Sequence, residues 1–275
     1  TALTTGDYTT AVGYAAGTAV TTGSFNTLIG GTTGDALTTG SANVAIGISA
    51  LTRDTAGSNS VAIGAGALTY QNFTSATVSY NVAIGSDAGN DVTTGVKNTL
   101  IGSLAGDALT DADFNVAIGY VALSGDTLGS RSTAIGHGAL FAQNFTTATD
   151  TYNTAVGNNA GKSVTTGVNN TLIGGTTGDA LTSGQQNTAL GYASLSADTQ
   201  GKYSVGIGTY TLGSQNFTSD TASYNTAVGY AAGNTITTGI QNTIIGGLGG
   251  TQGTNLNTGN NNILLGYLTG TSAAG

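Results

Sequence analysis

The sequence predicts an all-β protein, a parallel β-solenoid (β-roll) of about 15 coils. The first observation is a five-residue string, usually Asn-(Thr/Val)-(Ala/Leu)-(Ile/Val)-Gly, that recurs fifteen times. The second is that successive copies lie mostly 17 or 21 residues apart, which is too short for two helices and a turn. The third is that β-branched runs bounded by Gly are typical of strands and turns. Units of this kind stack, so that each strand pairs with its counterpart in the next coil.

The closing glycine of the string marks each coil. It stands at Gly13, Gly30, Gly47, Gly64, Gly85, Gly102, Gly119, Gly136, Gly157, Gly174, Gly191, Gly208, Gly229, Gly246 and Gly266. The spacings 17, 17, 17 and 21 recur as a 72-residue super-repeat, and the last spacing is 20. We therefore expect one repeat rod over residues 1–275, with super-repeats at about 9–80, 81–152, 153–224 and, in part, 225–275. A second Gly follows ten residues after the first in most coils, and we expect both corners to need positive φ.

The two residues before the motif glycine are apolar in nearly every coil, and they point to opposite faces of a strand. We expect the residue next to Gly, always Val, Ile or Leu, to lie inside the coil. The residue before it would then face outward, where an apolar column needs a cover. This predicts an inter-chain seam, with further copies of the chain as partners in a homotrimer, an end-to-end filament or both. The seam comprises Ala11, Leu28, Ala45, Ala62, Ala83, Leu100, Ala117, Ala134, Ala155, Leu172, Ala189 and Ala227.

The Asn that opens most strings predicts a structural ladder, in which each amide bonds the neighbouring coil at a corner. Its members are Asn26, Asn43, Asn81, Asn98, Asn115, Asn153, Asn170, Asn187, Asn225, Asn242 and Asn262.

The 21-residue coils contain the extension Gln-Asn-Phe-Thr three times, 72 residues apart. Two interpretations are open. In one, Phe73, Phe145 and Phe217 fold back and plug the side of the roll. In the other, the extensions project as contact loops, since loops on a repeat scaffold often bind partners. The Asn-x-Thr pattern is a glycosylation acceptor, which makes Asn72, Asn144 and Asn216 candidate glycan sites.

Composition excludes several classes of protein and partner. The chain has 46 Gly, 5 Lys+Arg and 13 acidic residues, all Asp, with no Pro, Cys, Met or Trp. A net charge of -8 argues against nucleic acid and anionic membranes as partners. The chain contains no run of about 18 apolar residues, so membrane insertion of this segment is not predicted. Disorder is not expected either, because 39% of the residues are hydrophobic and 7% are charged.

Catalytic chemistry is not expected. The single His, His137, has Ala65 and Thr209 as its super-repeat equivalents. We therefore interpret it as a substitution at an exposed repeat position and not as a general base. Asp111 and Asp113 are the only aspartates two apart, too few for a hard-cation loop. We find no phosphate-binding or nucleophile motif, so we predict no enzyme, no cofactor and no metal.

The string Asn59-Ser60-Val61-Ala62-Ile63-Gly64 resembles the head repeats of YadA-like trimeric autotransporter adhesins. The strings from Asn187 to Tyr192 and from Asn225 to Tyr230 resemble NTAVGY-type repeats of phage tail fibres and other extracellular fibres. The resemblance implies a left-handed β-roll with three chains side by side, used for adhesion or as a shaft. The coils here are longer than the head repeat, and no stalk coiled coil or membrane anchor is recognisable.

The sequence thus favours a non-enzymatic structural fibre or adhesin segment that is extracellular, on a cell surface, filament or virion. One alternative is a phage tail-fibre shaft whose loops bind a host-surface glycan or protein receptor. Ice binding is less favoured because it needs two outward Thr columns in every coil. Here pairs such as Thr38-Thr39 are adjacent, so one of the two faces away.

Overall fold

The computed structural model describes residues 8–251 and 256–269. All of its strand pairs are parallel, and the described part folds as an all-β parallel β-solenoid of about 15 turns, which confirms the predicted fold class. Each turn contributes one three-residue strand. These are β1 (Thr10–Val12), β2 (Thr27–Ile29), β3 (Val44–Ile46), β5 (Val61–Ile63), β7 (Val82–Ile84), β8 (Thr99–Ile101), β9 (Val116–Ile118), β11 (Thr133–Ile135), β13 (Thr154–Val156), β14 (Thr171–Ile173), β15 (Thr188–Leu190), β17 (Val205–Ile207), β19 (Thr226–Val228), β20 (Thr243–Ile245) and β21 (Ile263–Leu265).

Each 21-residue coil contains a two-residue strand that pairs with a two-residue strand of the preceding coil. They are β4 (Gly57–Ser58), β6 (Thr77–Val78), β10 (Gly129–Ser130), β12 (Thr149–Asp150), β16 (Gly201–Lys202) and β18 (Thr221–Ala222). They pair as β4 with β6, β10 with β12 and β16 with β18.

The chain forms two compact units, Thr1–Ser132 with Asn144–Asp150 and Thr133–Gln143 with Thr151–Gly275. In the first unit the long strands pair in the order β1-β2-β3-β5-β7-β8-β9. In the second the order is β11-β13-β14-β15-β17-β19-β20-β21. Equivalent residues pair, as Ala83 with Leu100 and Leu100 with Ala117, so every repeat position becomes a column along its unit.

The predicted orientation of the strands is wrong. In fourteen of the fifteen three-residue strands the middle residue is buried, and the residue next to the motif Gly keeps solvent exposure. Of the residues predicted to form an inter-chain seam, Leu28, Ala45, Ala62, Ala83, Leu100, Ala117, Ala134, Ala155, Leu172, Ala189 and Ala227 are 0% exposed in the single chain. Ala11, in the first strand, is exposed. A side chain without accessible surface does not contact a second chain, so these eleven residues form the core of the coil.

Size complementarity explains why the Ala/Leu column lies inside. Leu100 fills the space above two glycines: its Cδ1 lies 2.6 Å from the place of a Cβ on Gly89, and its Cδ2 2.8 Å from that on Gly106. In the next coil the strand carries Ala117, and Leu123, fully buried, occupies the position equivalent to Gly106. Large residues thus face small ones across the interior, as close packing requires.

The glycines serve the two corners for different reasons. The motif glycines have φ between 119° and 141°, as predicted, and a Cβ on Gly102 would stand 2.6 Å from the carbonyl oxygen of Gly119. At the second corner the predicted positive φ is wrong. Gly95 has no positive φ, but a Cβ there would collide with the Ala112 carbonyl oxygen of the next coil. Close approach of the backbones accounts for glycine at this corner.

Candidate functional site

The outward residues of the strands form a continuous uncharged surface on each unit. We call the first and third residues of the fifteen three-residue strands the strand face. Its first column holds Thr or Val, with Ile263 in β21, and its third holds Ile, Val or Leu. The third column keeps solvent exposure in the single chain, with Ile29 at 37%, Ile84 at 36% and Leu190 at 44%. A row of apolar side chains of this kind is what interaction surfaces present.

Nine strand-face hydroxyls have no hydrogen-bond partner within the part of the chain that the structure describes. They belong to Thr10, Thr27, Thr99, Thr133, Thr154, Thr171, Thr188, Thr226 and Thr243. Threonines on another side of the coil behave differently: Thr38 Oγ1 donates to the Thr55 carbonyl (2.8 Å), and Thr182 Oγ1 donates to the Thr199 carbonyl (3.0 Å). The second set stabilises the stack of coils, whereas the strand-face hydroxyls are free for an external partner.

An exposed column of large side chains borders the strand face. The residue before each ladder position has φ between 49° and 64°, and in all fifteen coils it is not Gly. That conformation costs roughly 1–2 kcal/mol per residue. Stacking along the column offsets part of the cost. Tyr203 and Tyr224 stack with ring centroids 5.0 Å apart, and Lys97 Nζ lies 4.7 Å from the centroid of Phe114.

The Asn ladder is confirmed. Asn98, fully buried, donates through Nδ2 to the Ala112 carbonyl (2.7 Å) and accepts through Oδ1 from the Asn115 amide (2.9 Å). The ladder side chains from Asn26 to Asn242 each satisfy one corner carbonyl and one amide that would otherwise be buried without partners. The last member, Asn262, donates to Asn242 Oδ1 (2.8 Å). The column is therefore structural, as predicted.

The ladder is interrupted in the first and third super-repeats by a buried polar cluster that the repeat pattern did not predict. In the first copy Ser60 replaces Asn, and Gln71 fills the gap: its Nε2 donates to Ser60 Oγ (2.8 Å) and to Asp54 Oδ2 (2.6 Å). Gln71 Oε1 accepts from Asn81 Nδ2 (2.9 Å), which links the cluster to the ladder. The joint occurrence of Asp, Ser and Gln every 72 residues is the signal that would have revealed it. In the third super-repeat Gln215 Nε2 donates in the same way to Asp198 Oδ2 (2.6 Å) and Ser204 Oγ (2.8 Å). The sequence of the second super-repeat has the same residue types at Asp126, Ser132 and Gln143.

The same cluster anchors the extension of the long coil. Burial raises the pKa of Asp54, while hydrogen bonds from Gln71 and from the amides of Phe73 and Gly57 oppose the rise. The Phe73 amide donates to Asp54 Oδ1 (3.1 Å), which turns the aromatic ring inward.

The plug interpretation of the extensions is confirmed. Phe73, Phe145 and Phe217 are only 5%, 7% and 5% exposed, so they are not contact residues. Their neighbours Asn72, Asn144 and Asn216 are exposed and lie where a modifying enzyme can reach a side chain. Glycosylation of these three asparagines stays a prediction.

Three aspartates at 72-residue spacing, Asp35, Asp107 and Asp179, each bury a carboxylate oxygen that has no partner among the described residues. Burial raises the pKa of Asp107 to about 6, and the negative charges of Asp91 and Asp87 add to the rise. Burial also raises the pKa of Asp179.

The remaining candidates serve contacts between coils. Asp111 accepts from Thr94 Oγ1 (2.6 Å), and Asp113 accepts from the Val96 amide (2.7 Å). His137 is exposed, with its Nδ1 3.3 Å from Asn158 Nδ2. Among residues 8–251 and 256–269, no group of three or more His or Asp side chains is placed to hold a metal ion. The same part of the chain contains no helix of the length and hydropathy needed to cross a membrane.

Comparison with known proteins yields no matching family model, curated protein or solved structure. The similarity to adhesin and tail-fibre repeats therefore stays a prediction from the repeat strings.

Proposed function

We propose that this chain is a non-enzymatic segment of an extracellular structural fibre or adhesin, and that it assembles with further copies of itself through the strand face. The observation that supports the proposal is the strand face itself, which combines an apolar column with nine unpartnered hydroxyls and contains no charge. We therefore place the proposed inter-chain contacts on the Thr/Val and Ile columns of the strand face, and not on the Ala/Leu column, which is buried.

The size of the surface is compatible with such an assembly. Strands spaced about 4.8 Å apart, with three residues of about 3.3 Å each, present roughly 330 Å² on the seven long strands of the first unit. The eight strands of the second unit add roughly 380 Å². Each unit thus offers a little under half of the ~800 Å² that each partner contributes to a standard interface, so an assembly of standard size needs both units.

Burying the third column would supply about 25 cal/mol per Å² of apolar area. A partner strand face would also offer hydroxyls to the unpaired threonines. The number of three chains and the extracellular location come from the resemblance of the repeats. The absence of Cys and Met, which leaves few groups to oxidise, is compatible with that location.

Native mass spectrometry tests the assembly. We expect an assembly with three times the 26.8 kDa mass of the chain, or a series of larger multiples if the chain forms filaments. Ile173→Lys, which puts an ammonium group into the strand face, should give a monomer. Thr166→Lys adds the same charge at an exposed position outside the strand face and should leave the mass unchanged. A monomeric wild-type chain would contradict the proposal.

A phage tail-fibre shaft is a variant of the same proposal, in which the extensions contact a host-surface glycan or protein. The exposed Asn72, Asn144 and Asn216 support it, because they recur at the same position of each super-repeat. Intact mass of the protein from its native source tests their modification, with a glycan increment expected at each site and an unmodified mass excluding it.

Ice binding is a second candidate function, and the free strand-face hydroxyls favour it. The sequence suggested the adjacent Thr pairs as the ice-binding columns. The first Thr of such a pair, as at Thr38, instead donates its hydroxyl to a carbonyl of the next coil. The strand face instead alternates Thr or Val with Ile. A monomer that shows thermal hysteresis at tens of micromolar would replace the assembly proposal, whereas an oligomer without hysteresis would exclude ice binding.

A further inference from the structure

One aromatic cluster breaks the periodicity of the surface. Tyr192, Tyr210 and Tyr230 come from three successive coils of the second unit and are 52%, 41% and 58% exposed. The ring centroids of Tyr192 and Tyr210 are 5.5 Å apart, and those of Tyr210 and Tyr230 are 6.4 Å apart, both pairs edge to face. Three half-exposed rings thus form one small surface, which we call the tyrosine cluster.

The cluster is not required by the coil. The equivalent residues one super-repeat earlier are Tyr120, Gly138 and Asn158, and two super-repeats earlier they are Ile48, Gly66 and Ser86. Those coils adopt the same backbone without the three rings. A residue set that occurs once on a repeating scaffold, on its surface, points to a role outside the common packing.

The central tyrosine is also placed at a conformational cost. Tyr210 has φ +58°, and its equivalents Gly66 and Gly138 have φ +71° and +63°. Glycine adopts this region without a penalty, whereas a side-chain-bearing residue does not. Tyr210 therefore stands where the two earlier super-repeats have Gly, although the neighbouring coils also carry a side chain at this corner, as at Ala193 (φ +50°) and Ala231 (φ +51°). The ring of Tyr210 is 41% exposed, so it remains accessible to a ligand.

We propose that the tyrosine cluster is a binding site for a neutral saccharide. Exposed tyrosines provide rigid apolar rings against which the C–H faces of a sugar can stack, and phenol groups that exchange hydrogen bonds with sugar hydroxyls. The residues next to the three tyrosines in sequence carry no charge that would select an ionic ligand. The flanking residues are Gly191, Ala193, Thr209, Thr211, Gly229 and Ala231.

This inference deepens the adhesive part of the proposed function, on which it rests. It does not need the assembly, since all three rings come from one chain.

The test is titration calorimetry with a panel of probes, namely neutral hexasaccharides of glucose, mannose, galactose and N-acetylglucosamine, and a sialylated oligosaccharide for comparison. We expect saturable binding of at least one neutral probe. Tyr210→Gly restores the residue of the other super-repeats, so it should leave the thermal midpoint unchanged or higher and weaken binding at least tenfold. Tyr192→Ala should weaken binding similarly. Tyr80→Ala, which removes an exposed tyrosine in the first unit, is the matched control and should bind as the wild type does.

Three results would overturn the proposal: no binding of any neutral probe, equal binding by Tyr210→Gly, or equal loss in Tyr80→Ala. A changed native mass for Tyr210→Gly without sugar binding would assign the cluster to a contact between chains instead. Measuring the monomeric Ile173→Lys variant separates the two proposals, because sugar binding that persists there does not depend on assembly.

Discussion

Truncating two neighbouring residues, one on each face of the same strand, tests which face belongs to the core. Leu100 is fully buried and fills the space over Gly89 and Gly106, whereas its neighbour Ile101 points outward. Leu100→Ala removes buried carbons and leaves a void, because neither glycine has a side chain that can move into it. The cost expected for such a change is about 3 kcal/mol. Ile101→Ala removes surface that is already partly hydrated, and we expect a cost of about 1 kcal/mol or less.

A double variant makes the test sharper. Gly106→Leu alone overpacks the interior, since its Cβ would already stand 2.8 Å from Leu100 Cδ2, and should cost about 1–3 kcal/mol. Combined with Leu100→Ala it reproduces the pairing of Ala117 with Leu123, where Leu takes φ +54° at the equivalent position. We expect the two changes together to cost about 1–3 kcal/mol less than their sum.

The assay is urea unfolding followed by far-UV circular dichroism in the Ile173→Lys background, so that assembly does not contribute. The slope m has to be compared for every variant, because repeat proteins can depart from two-state unfolding. A larger loss from Ile101→Ala than from Leu100→Ala, or strict additivity of the double variant, would refute the assignment of the Ala/Leu column to the core.

Three further predictions concern the ladder, the corners and the buried aspartates. Asn98→Ala leaves a carbonyl and an amide unpaired and should cost about 2–4 kcal/mol in urea unfolding, whereas the exposed Asn72→Ala should stay within about 0.5 kcal/mol; equal effects would contradict a structural ladder. Gly102→Ala drives a Cβ toward the Gly119 carbonyl and should lower the thermal midpoint by several degrees, and an unchanged midpoint would show that the corner can relax. The raised pKa of Asp107, about 6 against about 3.9 unfolded, contributes stability that is present below about pH 4 and lost as the pH rises through about 6. The urea midpoint should therefore be higher at pH 4.5 than at pH 7, and Asp107→Asn should reduce the difference by on the order of 1 kcal/mol after allowance for solvent screening; a wild-type midpoint that falls on acidification would contradict it.

Much of the fold could be predicted from the repeat alone. The period locates one strand per coil, and the Asn column predicts the ladder found at Asn98, because identical residues stack when equivalent strands pair in register. These features depend on the main chain and on neighbours at a constant separation along the sequence. The conformation of the motif glycine, as at Gly102, belongs to the same class.

The tertiary structure alone decided which face is inside. Alternation along a strand places Leu100 and Ile101 on opposite faces, but it does not say which face is buried. Hydrophobicity does not decide it either, because both columns are apolar. The deciding contact is the fit of Leu100 over Gly89 and Gly106, which lie in two different coils. The sequence pairs Leu100 on the strand with Gly106, and Ala117 on the next strand with Leu123 at the equivalent position. This correlation can be interpreted only when the coil is known to bring the two positions into contact.

The same reason applies to the extensions and to the candidate site. The inward turn of Phe73 depends on Asp54, 19 residues away, and on a carboxylate that also accepts from Gln71. The tyrosine cluster joins Tyr192 and Tyr230, which are 38 residues apart in sequence. The sequence by itself determined the period, the strands and the ladder, because these arise from local backbone chemistry repeated in register. The core face, the direction of the extensions and the surface clusters were decided by side chains that meet only after the coils have stacked.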